Sequence, residues 1–327
     1  MNGHTPLLEV RDLKTYFFTR RGTVKAVDGV SFSLFPGETL AVVGESGSGK
    51  SMTALSLIRL VPEPAGRIVD GEVLLEGQDL LKLRPHEIRR VRGSRIAMVL
   101  QDPMTSLNPA FSIGDQVGEA VRLHQGVGGG ELRRRVVEAL SRLKIPSAES
   151  RTADYPHQLS GGMRQRVSGA IALSCQPRLL IADEPTTSLD VTIQAQYLEL
   201  LRDIQERFSI SVIFITHDFG IVAATAHKVA VMYAGKIVEM GTTEAIFDDP
   251  VHPYTEALLR CVPRSDRLES RLVDIPGQPP DLANLPAGCS FAPRCPKVMS
   301  RCREVYPPEV EVSPGHVTKC WLAVTES

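Results

Sequence analysis

Through about residue 250, short apolar runs bounded by turn residues alternate with longer stretches whose apolar positions recur at helical spacing. Leu7–Leu13, Thr39–Val43, Arg95–Leu100, Leu179–Ala182, Val212–Thr216, Val229–Tyr233 and Lys236–Glu239 read as strands. Ser51–Arg59, Glu131–Leu143, Gly162–Leu173, Thr192–Phe208 and Thr243–Phe247 read as helices. Such alternation predicts an α/β domain with a mainly parallel central sheet. From about Pro103 to Cys175 no good strand candidate occurs, which predicts a helical insertion with Gly126–Gly130 as a turn inside it.

Composition divides the chain. Twelve of its 23 prolines fall between Pro250 and Pro314, and five of its six cysteines fall from Cys261 onward. A boundary at about 250 to 262 is expected, with a main domain over 1–255 and a small Pro/Cys-rich domain over 256–327. With 327 residues, 43% of them hydrophobic, the chain can bury a full core. Lys and Arg total 37 against 38 Asp and Glu, so no overall basic field attracts nucleic acid or anionic lipid. The arginines of ELRRRVVEALSRL (131–143) read as a solvated helix face. MNGHTPLLEV lacks the basic flank and apolar core of a leader, and no apolar run approaches the roughly 18 residues of a spanning helix. The expectation is a chain that stays in the cytosol, with thiols or metal ligands rather than disulfides.

The chemistry begins at Gly44-Glu45-Ser46-Gly47-Ser48-Gly49-Lys50-Ser51, directly after the run TLAVV and directly before a helical pattern. This is the G-x-x-x-x-G-K-[ST] pattern in its strand–loop–helix context. Its glycines let successive backbone N–H groups converge on phosphate oxygens, and the helix N-terminus adds its positive end. Contacts are expected from Gly44 through Met52, with Lys50 reaching the β- and γ-phosphates and Ser51 on Mg²⁺. Leu179-Leu-Ile-Ala-Asp183-Glu184 is an apolar strand ending in two carboxylates. Asp183 is expected to hold Mg²⁺ and Glu184 to act as general base toward water.

Between these elements lies Leu159-Ser160-Gly161-Gly162-Met163-Arg164-Gln165, and with it the chain closely resembles the ATP-binding subunits of ABC transporters. The resemblance implies their fold: a phosphate-loop core sheet, an N-terminal antiparallel β part and a helical subdomain at about 103–175. It implies ATP sandwiched between two chains, with residues 159–163 facing the γ-phosphate held by a partner subunit. By the same resemblance Gln101 in VLQDP is the Q-loop residue, sensing Mg²⁺ and water, and Asp190 in SLD is the D-loop residue. His217 in ITHD is the switch histidine that orients Glu184 and the water. The family stacks adenine on an aromatic residue before the loop; Phe17 aligns best, with Tyr16 or Phe18 as alternatives.

QDPMTSLNP (101–109), His252-Pro-Tyr-Thr255 followed by EALL, and the cysteine tail are similar to the oligopeptide, dipeptide and nickel importer ATPases over nearly the whole chain. This implies a peripheral subunit on the cytoplasmic face of the cell membrane. Its expected partners are a second ATPase subunit, two transmembrane permease subunits and an extracytoplasmic peptide-binding protein, with no nucleic acid. The implied cargo is peptide, with nickel or another small solute as the alternative. Outside transport, the alternative is a soluble ABC-type ATPase; those acting in translation usually carry two ATPase halves, and repair members carry long insertions, neither of which occurs here.

Cys289-x5-Cys295-x6-Cys302-x17-Cys320 lies in a Pro-rich segment with little periodic apolar pattern, so four thiolates could staple it through a metal. The spacings fit neither common zinc pairs nor the tight ferredoxin run, and by themselves choose no metal. The resemblance implies a [4Fe–4S] cluster, with Zn²⁺ as the alternative and His316 as a possible substitute ligand. Cys175 reads as a small buried core residue.

Overall fold

Alternation that begins at Leu8 carries through the β-favouring Thr15, Tyr16, Phe17 and Phe18, so the first strand outruns its predicted end at Leu13. β1 (Leu8–Thr19) turns through Arg20 and Arg21 into β2 (Gly22–Leu34), and the two pair antiparallel from Leu8 with Leu34 to Thr19 with Gly22. The computed structural model describes residues 5–101, 106–187, 189–262 and 274–324. They form two units, one from residues 1–35, 39–81 and 215–327 and one from 36–38 and 82–214.

In the first unit β3 (Thr39–Val43), buried at every residue, leads through the phosphate loop into α1 (Lys50–Leu57). β4 (Gly66–Leu75) pairs antiparallel with β1, and the short β5 (Gln78–Asp79) with β4, giving the sheet order β2-β1-β4-β5. Glycines at 22, 29, 66 and 71 break the alternation of β2 and β4, which is why the pattern does not announce them. Gly71, with φ 103, sits where an added Cβ would strike the backbone of Leu13 and Arg11.

The second unit contains α2 (Pro85–Val91), β6 (Ile96–Val99), α3 (Ile113–Gln125), α4 (Gly129–Arg142), α5 (Ala148–Arg151), α6 (Gly161–Leu173), β7 (Leu179–Asp183), α7 (Val191–Phe208) and β8 (Ser211–Ile215). β6 runs parallel to β7, and β8 lies on the other side of β7. Ser112 caps α3 by accepting from Asp115 N, and Gly126 ends it with φ 65. α4 already starts at Gly129, so the turn is shorter than Gly126–Gly130. Arg134 and Arg135 pair with Glu131 toward solvent, whereas Arg142, paired with Glu138, is half-buried over the Phe208 ring.

Returning to the first unit, the chain forms α8 (Phe219–Thr225), β9 (Lys228–Tyr233), β10 (Lys236–Thr242), α9 (Thr243–Asp248), α10 (Pro253–Arg260), α11 (Ser300–Glu304), β11 (Val310–Ser313) and β12 (His316–Thr318). Within this unit the strand order is β11-β12-β10-β9-β3. Among these five strands only β3 and β9 pair parallel and the other neighbours are antiparallel, so this part of the sheet departs from the expected parallel pattern, which the parallel β6 and β7 keep. The cause is local. Ala234 (φ 49) and Gly235 (φ 79) make a two-residue turn, and such a turn joins only antiparallel strands. β12 then extends the sheet along β10, and Phe291 enters the core formed by Val43, Val231, Tyr233, Ile246 and Tyr254. The tail thus adds to an existing core beside a small cluster of its own, Ala292, Cys302 and Trp321.

Candidate functional site

The phosphate loop is pressed onto backbone. A Cβ on Gly44 (φ 151) would land on the Met232 carbonyl oxygen, and one on Gly49 (φ 105) on that of Ala26. Both positions therefore require glycine, and the loop has one available path. Lys50 is buried, and its Nζ donates to the carbonyl oxygens of Gly44 (2.7 Å) and Glu45 (2.9 Å). Gly49 is the N-cap of α1, so the loop runs directly into the N-terminus of that helix. The buried Ser48 hydroxyl has no hydrogen-bond partner among the described residues, while Ser46, Gly47 and Ser51 are exposed and Met52 is half-buried. A helix N-terminus, an inward ammonium and a buried hydroxyl suit an anionic phosphate.

His217 belongs to the same unit. Thr216 N donates to the Val42 carbonyl at 3.3 Å, which fixes the segment before His217 beside the end of β3. Asp218 then caps α8, accepting from Gly220 N and Ile221 N. The imidazole is exposed between a strand end and a capped helix. Of the three aromatic candidates for adenine, Tyr16 donates its hydroxyl to Asp28 at 2.6 Å, and Phe17 is half-buried against Gly66. Phe18 is 50% exposed, with the Arg67 guanidinium 6.0 Å from its ring centroid.

In the second unit Asp183 is buried at the end of β7, and Glu184 follows with φ 45. Gln101 Nε2 donates to Glu184 Oε2 at 2.8 Å, and the Thr187 hydroxyl donates to the same oxygen at 3.1 Å. Two of the sequence-predicted residues therefore meet directly. The residues after Gln101, Asp102 to Thr105, lie outside the described residues, so the start of the insertion expected at 103 does too. Leu159 is buried; Ser160 and Gly161 are exposed, and Ser160 Oγ caps α6 by accepting from Met163 N at 3.3 Å. Gly162 faces α7, where an added Cβ would stand 2.8 Å from Ile193 Cγ2. Asp190 Oδ1 accepts from Ile193 N at 3.0 Å, so the aspartate caps α7.

Cys289, Cys295, Cys302 and Cys320 line one cavity in the tail together with Phe291 and Trp321. Gly288 makes this convergence possible, because a Cβ there would strike the Cys302 backbone, to whose carbonyl Cys289 N donates at 2.8 Å. Burial raises the thiols of Cys289 and Cys295 and, with the neighbouring cysteines, pushes Cys320 up to about 11. Among the described residues no group of three or more His, Cys, Asp or Glu is arranged to hold a metal ion. His316 is not a substitute ligand in this arrangement: its Nε2 is bonded to the buried Glu239 Oε1 at 2.8 Å. Cys175 is only partly buried, its Sγ 3.5 Å from the Ala120 carbonyl.

Sequence reasoning missed two residues at the loop. Arg294 bridges both oxygens of Glu45, and the Tyr254 hydroxyl accepts from Glu45 N at 2.8 Å. Tyr254 lies in the noted His252–Thr255 motif, but no periodicity links positions 45 and 294.

Comparison with known proteins places this geometry. Residues 27–187 match the family described as ABC transporter, and residues 238–302 match the oligopeptide/dipeptide transporter C-terminal region. The dipeptide transport ATP-binding protein DppD of Bacillus subtilis (strain 168) is 51% identical over 97% of this chain and 94% of its own. The oligopeptide transport ATP-binding protein OppD of the same strain is 52% identical over 97% of this chain and 89% of its own. Among solved structures, cbiO1 from Clostridium perfringens, part of the ABC transporter complex cbiONQ, superposes with a TM-score of 0.64 at 29% identity, covering 75% of this chain and 91% of that one. The fold and the phosphate loop are those of an ATP-binding cassette ATPase. The chain belongs to the ABC transporter ATP-binding proteins and carries the oligopeptide/dipeptide transporter C-terminal region.

Proposed function

We propose that the chain is the ATP-hydrolysing subunit of an importer of di- or oligopeptides, peripheral on the cytoplasmic face of the cell membrane. It works there with a second ATPase subunit, two permease subunits and an extracytoplasmic peptide-binding protein. The observation that carries this reading is similarity to peptide-transport ATP-binding proteins over 97% of the chain, including the C-terminal region at 238–302. Among the described residues no helix is long and apolar enough to cross a membrane, in keeping with a peripheral subunit.

In this reading the main domain, 1–255 with its helical part at about 103–175, carries the chemistry. Backbone amides from Gly44 to Met52 and the Lys50 ammonium hold the phosphates. Ser51, Asp183 and Gln101 would hold Mg²⁺, which would supply charge neutralisation at the phosphate oxygens. Glu184 takes a proton from the attacking water while His217 orients both. Ser160 and Gly161, exposed at the start of α6, address the nucleotide of the partner ATPase, with Leu159, Gly162 and Met163 shaping that turn and Asp190 at the D-loop. Adenine stacks on Phe17. ATP binding closes the pair, and hydrolysis with phosphate release reopens it, a two-state equilibrium biased by the γ-phosphate.

For the tail, 256–327, we infer that Cys289, Cys295, Cys302 and Cys320 hold a [4Fe–4S] cluster as a structural staple, with Zn²⁺ as the alternative. Their convergence on one cavity supports this; the raised thiols mean that loading must displace protons, and the side chains must turn to ligate. Iron, zinc and sulfide analysis of the anaerobically purified chain decides the metal.

The function is tested by tagging the chain in its host, solubilising membranes in mild detergent and identifying stoichiometric partners by mass spectrometry. Two permeases, a second ATPase and a binding protein that takes peptides are expected. Recovery with ribosomes or nucleic acid, or with no membrane subunit, would overturn the transport reading and leave the ATPase.

A further inference from the structure

The His252–Thr255 motif and the tail both end on Glu45, the second residue of the phosphate loop. The Arg294 side chain is 4% exposed, and its Nη1 and Nη2 lie 2.7 and 2.9 Å from the two Glu45 carboxylate oxygens. The other guanidinium donors are also placed: Nε on the Pro276 carbonyl (3.0 Å), Nη2 on that of Ile275 (3.1 Å) and Nη1 on the Tyr233 hydroxyl (3.3 Å). All five N–H groups are thereby committed, so the fork has one orientation. On the backbone side, Glu45 N donates to the Tyr254 hydroxyl, whose ring is packed 4.6 Å from Tyr233 and 5.3 Å from Phe291. Behind Tyr254 the chain of contacts continues inward. His252 Nδ1 accepts from Tyr254 N, and the buried Glu239 carboxylate accepts from Val251 N and His252 N and is bonded to His316 of β12.

A carboxylate within a loop that binds a triphosphate repels its own ligand unless it is neutralised. We propose that Arg294 is a positioning residue for nucleotide binding: it cancels the Glu45 charge and, with Tyr254, fixes the first turn of the phosphate loop, making the tail part of the ATP-binding apparatus. The inference rests on the reading of residues 44–51 as the ATP site.

The test is the affinity of the purified full chain for a non-hydrolysable ATP analogue with Mg²⁺. Arg294→Met should weaken binding by roughly tenfold or more, the scale of a charge-assisted pair left half-broken. Arg294→Lys, which keeps the charge, should stay within about threefold. Adding Glu45→Gln to Arg294→Met should restore most of the loss, because the unneutralised carboxylate is then gone. A merely structural Arg294 would lower the melting temperature and leave these affinities together. Affinity of Arg294→Met within twofold of the parent, or no recovery in the double variant, overturns the proposal. If the parent chain binds no nucleotide, the ATP reading fails and this inference with it. If the parent binds, Lys50→Ala does not, and the Arg294 variants match the parent, only this inference fails.

Discussion

Gln101 and Glu184, 83 positions apart, meet at 2.8 Å, with the amide nitrogen donating to the carboxylate. A neutral donor aimed at Oε2 fixes the orientation of the carboxylate, which suits the role proposed for Glu184 of accepting a proton from water. Gln101→Glu should reverse this. A second carboxylate in place of the amide removes the donor and repels Glu184, so ATPase turnover should fall by roughly tenfold or more. Steady-state turnover of the two proteins decides it; an unchanged rate would separate Gln101 from the proposed base.

Glu184→Gln should keep nucleotide binding and abolish turnover. The amide retains the shape and still offers an oxygen to Gln101 and Thr187, but it accepts no proton from water. A loss of at least about a hundredfold in phosphate release is expected, the lower end of general-base contributions. Retention of labelled ATP on the variant checks that the site survives. Turnover near the parent's would remove Glu184 as the base.

What the sequence makes legible is local. Thr39–Val43 is found with the predicted bounds, because a fully buried strand followed by Gly and a P-loop pattern admits no other reading. β9 and β10 fall where expected, yet their antiparallel sense depended on the two-residue turn at Ala234 and Gly235, which the apolar pattern does not weigh. β2 and β4 were missed because glycines at bulges interrupt their alternation. At the site the motif residues are visible in sequence, whereas Arg294 and Tyr254 act on Glu45 through tertiary packing across more than 200 positions. Pro-rich residues 274–324 have little periodicity because Phe291 and β12 add to a core and a sheet already built by the main domain, while Ala292, Cys302 and Trp321 form only a small cluster of their own.

Asp28 predicts a pH dependence. Burial alone would raise its carboxyl; the Lys236 ammonium at 2.7 Å and the Tyr16 hydroxyl at 2.6 Å outweigh burial and hold it below the usual range. A depressed carboxyl contributes stability above its unfolded value, near pH 4, that disappears as pH falls through the folded value. Asp28→Asn should therefore cost about 2 kcal/mol at pH 7, and the gap to the parent should narrow below about pH 4. Chemical denaturation from pH 3 to 8 measures it, and a constant gap would mean that the pair contributes through packing alone.

The last prediction concerns the join between the 159–163 turn and the helix that Asp190 caps. Gly162 on α6 faces Ile193 on α7 so closely that a Cβ would stand 2.8 Å from Cγ2, nearer than ordinary contact. Gly162→Ala must therefore displace the Ile193 side chain or shift one helix start against the other, a strain of about 1–3 kcal/mol for an overpacked contact. A shift would displace Ser160, whose hydroxyl caps α6. Because these residues are proposed to act on the partner's nucleotide, the variant should bind ATP like the parent and hydrolyse it roughly tenfold more slowly. Trimming the obstacle with Ile193→Ala in the same chain should return much of the turnover, which a simple loss of the glycine would not allow. Full activity in Gly162→Ala would show that the spacing of these helices is not limiting. An inactive double variant would shift the requirement from spacing to the glycine backbone itself.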